Sequence, residues 1–218
     1  MNLDYNEEYK SFEKEVQDFC KQYKDISFSD RAKIPFSAKG GRNKNTIKRS
    51  DWQKILIEKG YFARSVPKKY GGYGGETDIL KSRIIASEFS KFKIPTPMGG
   101  QGIDMLVPTL LELGTEQQKE KYIKPTLHGE MIWCQGYSEP NAGSDLASLQ
   151  TKAELIDGEW VINGQKIWTS TAQYAHMMFC LVRTEPDASK HAGSSYLLIP
   201  MDTPCLLYTS DAADDSGC

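Results

Sequence analysis

The chain has 218 residues, 39% of them hydrophobic and 11% aromatic, with a net charge of -2. That composition suits a soluble globular protein with room for one large or two small domains, and two are expected here. It excludes a global basic field for nucleic acid, since Lys and Arg are dispersed apart from residues 42–49 (RNKNTIKR), which read as a solvated loop.

No apolar run reaches membrane-spanning length, and the acidic start (MNLDYNEE) lacks the layout of a secretory or transit leader. A cytoplasmic protein is expected. Cys20, Cys134, Cys180, Cys205 and Cys218 are odd in number, widely spaced and without a C-x-x-C pair, which argues against a disulfide framework or a zinc site. His128, His176 and His191 are equally scattered, so no metal is assigned.

Along residues 6–24, Tyr9, Phe12, Val16, Phe19, Cys20 and Tyr23 recur at three- and four-residue spacing, predicting an amphipathic helix. Residues 25–49 read as loop. Ser50 and Gln53 have the spacing of a capping box opening a second helix that Gly60 can end. A Gly/Tyr loop follows at 66–75. Leu80, Ile84, Glu88, Phe89 and Phe92 predict a third helix, stopped by Pro95 and Pro97. A fourth falls within 102–113, and Thr115 with Gln118 caps a fifth that runs to about Lys124, before Pro125.

After Gly129 the period changes to that of strands, expected at 131–137, 149–155, 160–162, 166–169, 177–182 and 196–200. Asp157-Gly158 and Asn163-Gly164 are hairpin signals, because both dipeptides tolerate positive backbone angles. A helical domain over 1–130 therefore precedes an all-β domain over 131–204.

The chemistry concentrates in residues 133–170. Ser138-Glu139-Pro140-Asn141-Ala142-Gly143-Ser144-Asp145 joins two strand-like runs with hydroxyls and exposed amides, and Gly143 permits close backbone approach to a ligand. A bare G-S-D fits an ordinary turn; the octapeptide is more specific. Together with Gly136 and Tyr137 it resembles the first signature of the acyl-CoA dehydrogenase family, departing at Tyr137, where an aliphatic residue is usual. Gly164-Gln165-Lys166-Ile167-Trp168-Thr169-Ser170 resembles the second flavin-contacting segment of that family. The resemblance extends upstream through Pro67-Lys68-Lys69-Tyr70-Gly71-Gly72, residues 114–119 and Gly129-Glu130.

The family resemblance implies an α+β multidomain protein: an N-terminal helical domain, then a β-barrel middle domain, incomplete here. It implies FAD-dependent α,β-dehydrogenation of an acyl-CoA thioester. Gln135, Tyr137, Ser138, Gly143, Ser144, Trp168, Thr169 and Ser170 are the implied flavin-binding residues, with Ser144 also meeting the acyl-CoA. Gln135 stands where an aromatic is common. Met98 and Met105 are candidate linings of an acyl pocket, although core packing accounts for either. The implied catalytic base is a carboxylate in a C-terminal helical domain beyond this chain, so no catalytic residue is assigned, and Glu139 is read as structural.

Implied partners are the acyl-CoA substrate, an electron-transferring flavoprotein and further subunits of a homo- or hetero-oligomer. Residues 205–218 leave the family pattern and read as a non-native tail resembling translated sequencing-adapter sequence. Three other readings stand beside the dehydrogenase: a non-catalytic flavin- or acyl-CoA-binding subunit, an acyl-CoA oxidase or flavin monooxygenase of the same fold, and a cofactor-free interaction module.

Overall fold

The computed structural model describes residues 6–30, 45–188 and 192–208. Residues 42–44 of the basic stretch, His191 and tail positions 209–218, Cys218 among them, lie outside the described residues. Two compact units are present. One comprises the described residues of Met1–Gly99 and Leu110–Glu130, the other those of Gly100–Thr109 and Met131–Cys218.

In the helical unit, α1 (Glu7–Tyr23) begins where Asn6 Oδ1 accepts the Tyr9 amide, and it buries Val16, Phe19 and Cys20. α2 (Arg49–Glu58) and α3 (Ile79–Phe92) complete its core around Trp52, Leu56, Ile84 and Phe89. The Phe19 ring lies 5.7 Å from Trp52, 6.0 Å from Phe89 and 5.0 Å from Tyr61. Trp52 Nε1 donates to the Pro95 carbonyl at 3.0 Å, so the indole is satisfied and the proline segment after α3 is tied to the core. Within the region expected as loop, β1 (Ile26–Phe28) and β2 (Asn45–Ile47) pair in parallel. Three residues each is too short a run for a period to show.

The cap expected at Ser50 does not form. α2 starts two residues earlier, with Lys48 at its N-cap position and no side-chain cap. Gln53 is instead fully buried: its Oε1 accepts from the Met98 amide at 2.9 Å and its Nε2 donates to the Leu127 carbonyl at 3.0 Å. The Gln53 side chain is thus engaged by the backbone of Met98 and Leu127 and not by the start of its own helix. Gly60, at φ +71, does close the helix, its amide reaching the Ile57 carbonyl.

A π-helical turn at Gly102–Leu106 leads into α4 (Val107–Leu113), a departure from the single helix expected there. α5 (Glu116–Leu127) carries the Thr115/Gln118 capping box in both directions, at 3.2 and 2.9 Å. It continues through Pro125 rather than stopping before it. The Thr126 hydroxyl donates to the Tyr122 carbonyl at 2.6 Å in that last turn, and Gly129 at φ +70 follows.

The second unit is built on β3 (Trp133–Gly136), β4 (Lys152–Ile156), β5 (Glu159–Asn163), β6 (Met177–Arg183) and β7 (Ser194–Pro200). Their order is β3-β6-β4-β5, with β7 antiparallel on β6. β3 and β6 run parallel, from Trp133↔Met177 to Gly136↔Cys180. Cys134, Met178, Cys180 and Val182 point alternately into one buried layer with Ala153, Ala172 and Met201.

This is a mixed five-stranded sheet and not the closed barrel expected. β4 meets β6 at one pair, Lys152↔Arg183, and among the described residues no strand joins the outer edges of β3 and β5. Asp157 (φ +52) and Gly158 (φ +85) form the predicted turn between β4 and β5. Asn163-Gly164 forms no hairpin. A Cβ on Gly164 would lie 2.4 Å from Thr151 Oγ1, so its glycine serves close packing. The strand expected at 166–169 is irregular, because Trp168 at φ +57 breaks extended geometry.

Candidate functional site

The two loops singled out in the sequence are bound to each other. After β3 the chain closes a tight turn in which the Glu139 amide donates to the Ala142 carbonyl at 2.9 Å and the Ala142 amide to the Glu139 carbonyl at 3.1 Å. Glu139 then points inward. Its Oε2 accepts the Gln150 amide at 2.6 Å, and its Oε1 accepts the Thr151 amide at 2.9 Å and Lys166 Nζ at 2.8 Å. Lys166 also donates to the Tyr137 carbonyl at 3.1 Å, and the Ile167 amide donates to the Ser138 carbonyl at 2.9 Å.

Side chains of Lys166 and Glu139 are only 8% and 7% exposed. Burial alone would raise the Glu139 pKa; the Lys166 ammonium and the amides of Gln150 and Thr151 outweigh it and hold the carboxyl at about 2. Glu139 is therefore a fixed anion joining three segments, and its position makes it structural. The motif spacing pointed to Glu139. Nothing in the sequence pointed to Lys166, since a buried cation is recognisable only once its partner is located.

This clamp presents a row of exposed groups. Gly143 and Ser144 lie on the surface, and a Cβ built on Gly143 meets nothing within 4 Å. Ser138 and Thr169 are half-buried and Ser170 is exposed. Trp168 is 78% exposed although its backbone is left-handed, and Thr171 shares that conformation at φ +70. A large indole held outward on strained backbone contributes little to a core, and such strain gathers at ligand sites.

The side chains of Gln135 and Tyr137 follow the alternation of β3. Strand alternation puts them on the face of Phe179, whose ring lies 5.8 Å from Tyr137 and 5.7 Å from Tyr196. Gln135 Nε2 donates to Met105 Sδ at 3.5 Å, bringing the π-helical turn to the same face. Burial, with the Tyr137 phenol next to it, pushes the Tyr196 pKa up. Met98 belongs to the helical unit, where a Cβ on Gly129 would meet its methyl at 2.0 Å. Burial pushes the Cys134 thiol up to about 12 and the Cys180 thiol to about 11, so neither is a nucleophile near neutral pH. Among the described residues no cluster of His, Cys, Asp and Glu is placed to hold a metal, and no helix is long and apolar enough to cross a membrane.

The family description "Acyl-CoA dehydrogenase, N-terminal domain" matches residues 6–130, and "Acyl-CoA dehydrogenase, middle domain" matches residues 134–217. The chain belongs to the acyl-CoA dehydrogenase family. It is 40% identical over 166 residues to acyl-CoA dehydrogenase IpdE1 of Mycolicibacterium smegmatis, covering 72% of this chain and 42% of that one. The structure of the ChsE4-ChsE5 complex from Mycobacterium tuberculosis superposes with a TM-score of 0.63 at 28% identity, covering 93% of this chain and 49% of that one. A protein described as the Tcur3481-Tcur3483 steroid ACAD gives a TM-score of 0.63 at 32% identity, with coverages of 93% and 50%. The chain thus spans about half the length of the relatives it matches. Members of the family are flavoproteins.

Proposed function

We propose that this chain is the flavin-holding part of an FAD-dependent acyl-CoA dehydrogenase that removes hydrogen across the α and β carbons of an acyl-CoA thioester. The observation carrying this reading is the clamp of Glu139 and Lys166, which seats Ser138 one hydrogen bond from the segment bearing the outward indole of Trp168. An isoalloxazine fits such residues: a flat apolar face comes from Trp168, directional hydroxyls from Ser138, Thr169 and Ser170, and open backbone from Gly143 and Ser144. Bound FAD would supply the redox chemistry.

The chain's own work is binding and orientation. Trp168 would exclude water from one side of the ring, the hydroxyls would fix its edge, and Ser144 would meet the acyl-CoA. Neither the buried, ion-paired Glu139 nor the high-pKa cysteines take a proton from substrate. Electron transfer to an electron-transferring flavoprotein and assembly with a second subunit, as in the complex of the related ChsE4 and ChsE5, belong to the same proposal. A bulky polycyclic acyl group enters it through the steroid ACAD at 32% identity.

The test is an absorption spectrum of the intact purified protein, followed by anaerobic addition of acyl-CoAs from short-chain to steroid-bearing. A flavin spectrum bleached by at least one thioester is expected. A colourless protein that takes up no FAD would overturn the reading. Rapid reoxidation of the reduced protein by oxygen would replace the dehydrogenase with an oxidase.

A further inference from the structure

We propose that Glu139 and Lys166, which touch no substrate, are positioning residues that also set the redox poise of the flavin by cancelling each other's charge. This rests on the flavin reading above. Glu139 adjoins Ser138, and Lys166 lies two residues before Trp168, so both belong to the segments assigned to the ring. Both side chains are withdrawn from water, where an unbalanced charge is felt far more strongly than at the surface.

Each partner is also held independently of the other. Glu139 keeps the amides of Gln150 and Thr151 if Lys166 is removed, and Lys166 keeps the Tyr137 carbonyl if Glu139 is removed. Neutralising one partner therefore leaves the opposite charge in place. Reduction adds electron density to the ring, so a remaining ammonium favours the reduced form and a remaining carboxylate opposes it. A clamp that mattered only for shape would move both variants the same way, by loosening the site.

The experiment measures the midpoint potential of the flavin-loaded intact protein at one fixed pH near 7, for the wild type, Glu139→Gln, Lys166→Met and the double variant. Relative affinity for reduced over oxidised flavin is expected to rise about tenfold in Glu139→Gln and fall about tenfold in Lys166→Met. For a two-electron couple these are shifts of about 30 mV in opposite directions. The double variant, with no buried charge left unpaired, returns to within about threefold of wild type.

Lys166→Arg keeps the cation and is expected at the wild-type potential, so its comparison with Lys166→Met reads the charge even where Glu139→Gln does not fold. Shifts of one sign in both single variants, or none, overturn the inference while leaving bound flavin intact. A wild type that takes up no flavin overturns the functional reading first, and this inference with it.

Discussion

Glu139 shows how a motif residue can serve a site from inside the fold. Its carboxyl sits at about 2 against an ordinary 4.5, so its contribution to stability is complete above the ordinary value. It drains away as pH falls from 4.5 toward 2. Urea unfolding of wild type and Glu139→Gln should accordingly show a gap at pH 7 that narrows at pH 3, and a constant gap would contradict this assignment. Glu139→Ala strips both Lys166 and two amides of their partner and is expected to cost about 3–5 kcal/mol at pH 7. Gly164→Ala tests the neighbouring packing. With its Cβ 2.4 Å from Thr151 Oγ1, it should lose about 1–3 kcal/mol in the same assay, and a neutral outcome would mean that the loop yields freely.

Two identical sequence patterns met different fates among the helices. Thr115 and Gln118 cap α5 as expected, and Thr115→Ala should cost about 1 kcal/mol by chemical denaturation. Ser50 and Gln53 have the same spacing, yet Gln53 is spent on the Met98 amide and the Leu127 carbonyl. Gln53→Leu, similar in volume, is expected to cost more than Ser50→Ala, because it leaves buried groups unpaired at about 1–3 kcal/mol each. The reverse order would restore the cap.

Local chemistry was legible where it had no competitor: the apolar stripe of α1, the Asp157-Gly158 turn, the Thr115 cap. It was not legible where distant backbone made demands, as at Gln53, or where elements were too short for a period, as in β1 and β2. The segment at 166–169 read as strand because Ile167 and Trp168 are apolar, but that indole is turned outward by a positive φ that no propensity encodes.

Across the molecule, the change of period after Gly129 separated helices from strands, and both family domains follow it. Closure of the sheet was not visible in the strands themselves, since it depends on which edges find partners. Both motifs were legible as text, but the bond from Ile167 to Ser138 and the clamp beneath it emerged only in three dimensions.

The central claim is that residues 136–145 and 164–171 form one flavin site. Hydrogen–deuterium exchange of the intact protein, stripped of any flavin and then supplied with FAD, tests it most directly. The account predicts slower exchange in both segments together, at the same FAD concentration. Protection of one segment without the other, or of neither while FAD is bound elsewhere, would contradict it.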